Sequence, residues 1–513
     1  MLRWMVGLGL LLAPTLAHAD WYEASTPHFI VYANDSADHI KAYASRLERF
    51  DGALRVFRGI TDRPITRSER VTVYVVQGDS EIERLYGGSG WGVRGFYRAS
   101  VTGPEAFVPR RSGSGGKWDL DADSVLQHEY AHHFMFDNYE NLALPKWFVE
   151  GFAEFHATAI IKDDGSVMFG QAPAYRAYAV LEGNALTIEQ MLNADKQKLD
   201  GAELDALYGK GWLLIHYLTF EPSRKGQLTA YLRELNSGKR AADAAKVFGD
   251  LRALDRELGH YALRPKITVY TVGANAINVQ AATIRKLSDG EAAMMPIRIR
   301  SKAGVTDRTA PALFSRASKT AASYPGDAGV QLVLAETACD ARDYDACLAA
   351  ANRAIGAEPH NEKAYVFQGR ALMSAARRAT TPNVAAFRAA RKSFVAANRI
   401  DADEPEALAL YYRSFVEGGE QPTENARAAL RKALDFAPED GDLRFEVAID
   451  FLRAGENAQA RTTLLPIAYS PHGGEEVTIA TMLVTAIDNG DKDAITRFLH
   501  PPTKDDGKDK PAK

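Results

Sequence analysis

Residues 124–136 read SVLQHEYAHHFMF, and the first half of the chain is read outward from them. The stretch has no Pro or Gly. Polar residues Asp119 to Asp123 precede it, Ser124 is placed to cap, and Gln127 follows at capping-box distance. A helix is expected over Val125 to Phe136. On a helix, positions i and i+4 share a face. His128 and His132 therefore present two imidazoles to one point, and Glu129 lies beside them. This His-Glu-x-x-His spacing lets a helix hold a metal ion and set a base next to its water. His133 points to another face and is expected to pack or to support, not to ligate.

Past a break at Asn138 to Leu144, Pro145 suits the first turn of a second helix. That helix carries Trp147-Phe148-Val149-Glu150-Gly151-Phe152-Ala153-Glu154. Glu150 lies 18 residues beyond His132, enough for one turn and a returning helix. It can complete a His-His-Glu set with a fourth position open, the pattern of catalytic zinc. Glu154 shares its face and is expected behind the ligands, accepting a proton from an imidazole. Trp147, Phe148 and Phe152 make the helix partly buried. Gly151 costs roughly 1 kcal/mol against Ala mid-helix, and is expected to let the two metal-bearing helices approach. A third element, Leu207-Tyr208-Gly209-Lys210-Gly211-Trp212, leads into the apolar run Leu213 to Leu218. Tyr208 at its entrance is placed to donate a hydrogen bond to an oxyanion.

Toward the N-terminus, His28 to Tyr32 and Val71 to Val76 read as strands, Ser36 to Phe57 has a helical period, and Glu81 to Tyr86 starts a short helix. Ala106-Phe107-Val108 is extended, with an edge that can hold a peptide. Strands with a helix across them indicate a mixed α+β unit. Gly87 to Gly95 and Gly113 to Lys117 are Gly-rich. Lys117 is followed by Trp118 where a phosphate loop needs Ser or Thr, so both are read as turns. At the start, Arg3, the apolar run Trp4 to Leu12 and Ala17-His18-Ala19 form an export signal cut before Asp20. No later stretch has the 18 or more apolar residues of a membrane span.

The second half is punctuated by prolines. Pro325 and Pro359 are 34 residues apart, and Pro405, Pro438 and Pro471 are separated by 33 and 33. The 46 between Pro359 and Pro405 fits one repeat with an insertion around Ala376 to Asn383. Small residues recur where paired helices must touch: Ala335, Cys347, Ala351 and Ala354, then Ala426, Ala429 and Ala433. Helix pairs at this period form a solenoid. Cys339 and Cys347 fall on the two helices of one repeat, placed either to pair or to pack.

The 513 residues imply about three domains, and the composition is that of a globular protein, 46% hydrophobic and 25% charged. The net charge of −4 gives no basis for wholesale nucleic-acid binding. Two cysteines exclude a disulfide scaffold or a Cys-rich zinc module.

Taken together, His128-Glu129-Tyr130-Ala131-His132, Trp147 to Glu154 and Tyr208-Gly209-Lys210-Gly211 resemble a gluzincin metallopeptidase, of the peptidase MA-like or M1-like kind. The resemblance covers roughly residues 25 to 265. It implies Zn2+ on His128, His132 and Glu150, Glu129 as general base, Glu154 orienting a ligand and Tyr208 stabilising the tetrahedral intermediate. The exopeptidase motif ending in Met-Glu-Asn is not found before His128, and the His132-to-Glu150 spacing is one residue shorter than usual in the M1 family. Endo- and exopeptidase action both stay open. Residues 311 to 500 resemble tetratricopeptide (TPR) repeats.

The expected architecture is an α+β zincin-type catalytic domain followed by an all-α TPR-like helical solenoid. The boundaries are a signal peptide at 1–19, the catalytic domain at 20–265, a connecting segment at 266–310, the repeats at 311–500 and a disordered tail at 501–513. The expected function is an exported zinc metallopeptidase, periplasmic or secreted, acting on a peptide or protein. The alternative is an inactive zincin-fold protein that binds or assembles partners, with a protein partner on the solenoid's concave face.

Overall fold

A computed structural model describes residues 20–88, 93–111, 121–139, 141–181, 186–194, 199–378, 383–470 and 474–500. The export signal, the C-terminal tail, part of the first Gly-rich stretch and all of Gly113 to Lys117 lie outside the described residues.

The strands are β1 (Trp21–Ser25), β2 (Phe29–Asn34), β3 (Val71–Val76), β4 (Phe96–Arg98), β5 (Glu105–Pro109), β6 (Ile160–Ile161), β7 (Val167–Phe169), β8 (Tyr270–Val272) and β9 (Thr283–Lys286). Six of them form one sheet in the order β4-β5-β3-β2-β1-β9, and the other three form a small sheet, β6-β7-β8. β2, β3 and β5 run parallel, and β4 closes the edge antiparallel to β5.

The central strands read as unbroken apolar runs because both of their faces are covered. Phe29, Val31, Val71 and Val73 enter one core with Ile40, Leu47 and Phe50 of α1 (Ala37–Arg58). Ile30, Tyr32, Tyr74 and Phe107 enter a second core on the opposite face, joined there by Ile82 and Leu85 of α2 (Asp79–Tyr86). Ser36 caps the start of α1, and Gly59, in the left-handed region, ends it.

The metal-type sequence lies on α3 (Ala122–Asn138), under the sheet. Its cap is Asp121, which accepts from the Ser124 amide, so the helix starts earlier than Ser124 as cap would place it. Next come α4 (Lys146–Ala157), α5 (Ala177–Leu181), α6 (Ile188–Leu192), α7 (Gly201–Phe220), α8 (Gln227–Asn236), α9 (Ala241–Ala244) and α10 (Leu251–Ala262).

Residues 266–310 differ from the expected connecting segment. β8 pairs with β7, β9 pairs with β1, and both therefore belong to the sheets. α11 (Asp289–Lys302) lays Met295 and Ile299 on the second face of the large sheet. Its Arg298 guanidinium sits 4.5 Å from the centre of the Tyr32 ring. A two-sided sheet needs this cover, because Tyr32, Tyr74 and Phe107 would otherwise face water.

α11 also opens the solenoid. It pairs with α12 (Ala310–Ala321), followed by α13 (Ala328–Asp340) with α14 (Tyr344–Ala357) and α15 (Glu362–Arg378) with α16 (Val384–Ile400). Then come α17 (Pro405–Glu417) with α18 (Glu424–Phe436), α19 (Gly441–Arg453) with α20 (Asn457–Ala468), and α21 (Glu475–Asp488) with α22 (Lys492–Leu499). The long spacing between Pro359 and Pro405 goes with two 17-residue helices, α15 and α16. Cys339 and Cys347 are disulfide-bonded across the α13–α14 pair.

The solenoid turns back onto the β4–β5 hairpin. Arg98 donates to the Ala303 carbonyl at 2.7 Å, and the Val101 amide donates to Asp440 at 2.6 Å. Ser68 donates to the Asp403 carbonyl at 3.1 Å, and Arg444 to Asn141 at 2.7 Å. Val101 packs against the Leu408–Tyr412–Leu430 cluster. Part of the solenoid surface thus holds a segment of its own chain.

Candidate metal centre

Three helices converge on one point. α3 supplies His128, Glu129 and His132, α4 supplies Glu150 and Glu154, and α7 supplies Tyr208. The backbones of α4 and α7 touch, and glycines make that possible. A Cβ on Gly151 would lie 2.6 Å from the Gly211 carbonyl carbon, and one on Gly211 would lie 3.0 Å from the Trp147 oxygen. The close approach expected of Gly151 is therefore made to α7, not to α3.

The His128 and His132 Nε2 atoms are 3.1 Å apart. Glu150 Oε2 is 3.7 Å from the first and 3.6 Å from the second. Four tetrahedral ligands at about 2.0–2.1 Å from an ion stand roughly 3.3 Å from one another. The triangle fits one zinc-sized ion. The donors fit too: burial drives both imidazoles toward the neutral, lone-pair-bearing form, with the His132 pKa lowered to about 4 and that of His128 well below its ordinary value.

Glu129 stands beside this triangle. Its pKa is raised to about 8, first by burial and then by the charge of Glu150, while a hydrogen bond from the Tyr97 backbone amide pulls the other way. Tyr208 donates to Glu150, and its ring lies parallel to that of His128, with centroids 6.1 Å apart. Burial and the adjacent carboxylate keep the phenol protonated, as a donor must be.

Glu154 is fully buried and well held. Tyr175 donates to it at 2.8 Å, and Arg176 donates at 3.0 and 3.2 Å. Its nearest approach to His128 Nδ1 is 3.7 Å, beyond a hydrogen bond. The expected Glu154–imidazole hydrogen bond is therefore not made, and the carboxylate only lies close to the neutral ring. The Arg176 guanidinium also lies 4.8 Å from the Tyr208 ring centre. Tyr175 and Arg176 are not visible in the sequence pattern, because they lie in a 3-10 turn with no periodic signal.

His133 turns away from the triangle, as expected of a non-ligand. Its Nδ1 is 2.6 Å from Glu439, a solenoid residue that also accepts from the Tyr97 hydroxyl at 2.8 Å. No sequence signal singles out Tyr97 or Glu439.

Behind α3 lies a second charged group. His28 Nδ1 is 2.7 Å from Glu48 and its Nε2 is 3.1 Å from Asp62. Asp51 accepts from Arg55 at 2.8 Å and from Tyr130 of α3 at 2.6 Å. Cations already serve these carboxylates, so the group acts as a tie between α1 and α3. Burial opposes charging His28, but Glu48 and Asp51 outweigh it, and its pKa is raised. Stability from this tie is full below the unfolded-state value near 6.5 and is lost as pH rises through the raised folded value. Thermal unfolding between pH 6 and 9 will show wild type losing stability relative to His28→Gln. A difference that stays constant with pH would remove this assignment.

No family model and no curated protein matches the chain. Among solved structures it is similar to TTC0263, a thermophilic TPR protein of Thermus thermophilus, with a TM-score of 0.30 and 16% identity over 34% of this chain and 91% of that one. A second similarity is to a structure titled MamA RS-1 ArsTM double mutant, with a TM-score of 0.27 and 12% identity over 40% of this chain and 98% of that one.

Proposed function

We propose that the chain is a zinc-dependent peptidase. The observation that carries the reading is the His128–His132–Glu150 triangle with a carboxylate, Glu129, beside it. His128, His132 and Glu150 would hold the ion, which would supply an acidified water and polarise the scissile carbonyl. The chain's own groups do the remaining work. Glu129 takes a proton from the attacking water and returns it to the leaving amine. Tyr208, neutral and in contact with Glu150, swings its hydroxyl to the developing oxyanion. Arg176 and Tyr175 hold Glu154 against the back of His128 and so fix that ring. The edge expected at Ala106 to Val108 is not free, because these residues form β5, paired on both sides. The sheet's edge is β4, and an extended peptide would have to lie along it beside the Tyr97 amide that serves Glu129.

An exported location agrees with the Cys339–Cys347 disulfide, since such bonds persist in oxidising compartments. Among the described residues, no helix is long and apolar enough to cross a membrane.

The second reading is a catalytically silent protein-binding or assembly factor. It is favoured by the solenoid, because stacked helix pairs build extended surfaces that bind proteins. One experiment separates the two. Elemental analysis of the purified chain should find about one zinc per molecule, and that preparation should cleave a mixed peptide library. A chain that takes up no zinc after metal addition and dialysis refutes the peptidase reading.

A further inference from the structure

We propose that Glu439, a residue of the solenoid, is a positioning residue for the base Glu129, acting through the edge strand β4. The inference rests on the hydrolytic reading above.

Glu439 sits at the α18–α19 corner, far in sequence from both elements it joins. One carboxylate oxygen, Oε1, meets His133 Nδ1 at 2.6 Å and accepts from the Tyr97 hydroxyl at 2.8 Å. The same imidazole nitrogen is 3.0 Å from that hydroxyl, so the three groups form a closed triangle. The side chains of His133 and Glu439 are 12% and 8% exposed, so water does not compete freely for this contact. His133 follows the ligand His132 on α3, and Tyr97 is the middle residue of β4.

The consequence lies on the other side of Tyr97. Its side chain is held by Glu439, and its backbone amide donates to the Glu129 carboxylate. β4 is only three residues long and has a partner on one side alone, β5. Such a strand has little of its own to fix its height above α3. The corner does so from the far side, since Asp440, next in sequence, takes the Val101 amide at 2.6 Å. The solenoid thus sets the distance between the edge strand and the helix carrying the base. A displacement near 1 Å at such a place costs about 100-fold in rate. Neither unit can set this geometry without the other, which gives the contact between solenoid and hairpin a function.

The test uses the full chain and two readouts. In zinc-loaded protein, Glu439→Ala should lower kcat by about 10- to 100-fold, with KM changed by less than about threefold and zinc content unchanged. Glu439→Gln keeps an acceptor oxygen for the Tyr97 hydroxyl and should retain most of kcat. Tyr97→Phe should reproduce the loss, and the double variant Tyr97→Phe/Glu439→Ala should be no worse than Glu439→Ala alone. The second readout needs neither metal nor turnover. Hydrogen exchange of the segment Phe96 to Val101 should rise about tenfold in Glu439→Ala, with α4 unaffected.

Unchanged exchange overturns the coupling, whatever the activity does. Raised exchange with an unchanged kcat shows that the contact is structural only and overturns the positioning role. A rise in KM at constant kcat overturns it as well, because it moves Glu439 from aiming the base to binding substrate. A zinc-loaded wild type that cleaves nothing refutes the hydrolytic reading, and the positioning role falls with it.

Discussion

On the peptidase reading proposed above, Glu129→Gln will lower peptide hydrolysis on the order of a thousandfold while zinc binding is kept. The substitution changes one atom. Gln keeps the length of the side chain, and its amide oxygen can still accept from the Tyr97 backbone amide, the contact that now holds the carboxylate. It cannot take a proton from water. His128, His132 and Glu150 keep their places, because they meet one another and Glu150 accepts from Tyr208. Burial and, after it, the charge of Glu150 raise the Glu129 pKa to about 8, and a cation held by Glu150 would bring it back toward the ionised form a base needs. The measurement is kcat/KM on a cleaved peptide, set beside zinc content for both proteins. Equal rates would remove Glu129 from the chemistry. Loss of zinc in the variant would make it a metal-site residue instead.

The parts of this site that lie within one helical turn of each other are legible in the sequence. Spacing alone puts His128, Glu129 and His132 together, and the return of one helix brings Glu150. Pro325, Pro359 and Pro438 mark the helix pairs because each lies between one pair and the next, and Pro405 opens α17. What escapes depends on distant pairing. β1 and β9 are short and gain their strand character from each other and from β2. The sequence around α11 does not show that this helix serves two cores at once. Tyr97 and His133 meet Glu439 from 342 and 306 residues away, and no local pattern records such a contact. The start of α3 differs from its expected place for a local reason. Asp121 and Ser124 can both cap, and the Asp121 carboxylate takes the Ser124 amide first.

Gly151→Ala will destabilise the chain by about 1–3 kcal/mol and weaken its hold on the metal, although Ala is the better helix former. Helix propensity alone predicts a gain of roughly 1 kcal/mol. Packing decides the sign. The new methyl would sit 2.6 Å from the Gly211 carbonyl carbon, 2.7 Å from its oxygen and 3.0 Å from its Cα. All three are backbone atoms of α7 and cannot rotate away, so α4 and α7 must separate. Glu150 precedes Gly151 directly, and Tyr208, which donates to Glu150, is less than one turn from Gly211. A shift between these helices therefore pulls one proposed ligand and its hydrogen-bond donor out of register with α3, which carries the other two proposed ligands. Gly259→Ala in α10 is the control. That glycine is exposed on its helix, and a methyl there meets nothing within 4 Å. It should stabilise by about 0.5–1 kcal/mol and leave the metal untouched. Chemical unfolding gives the two free energies and competition with a chelator gives the affinities. If Gly151→Ala proves as stable as Gly259→Ala, the contact between α4 and α7 is not what sets the position of Glu150.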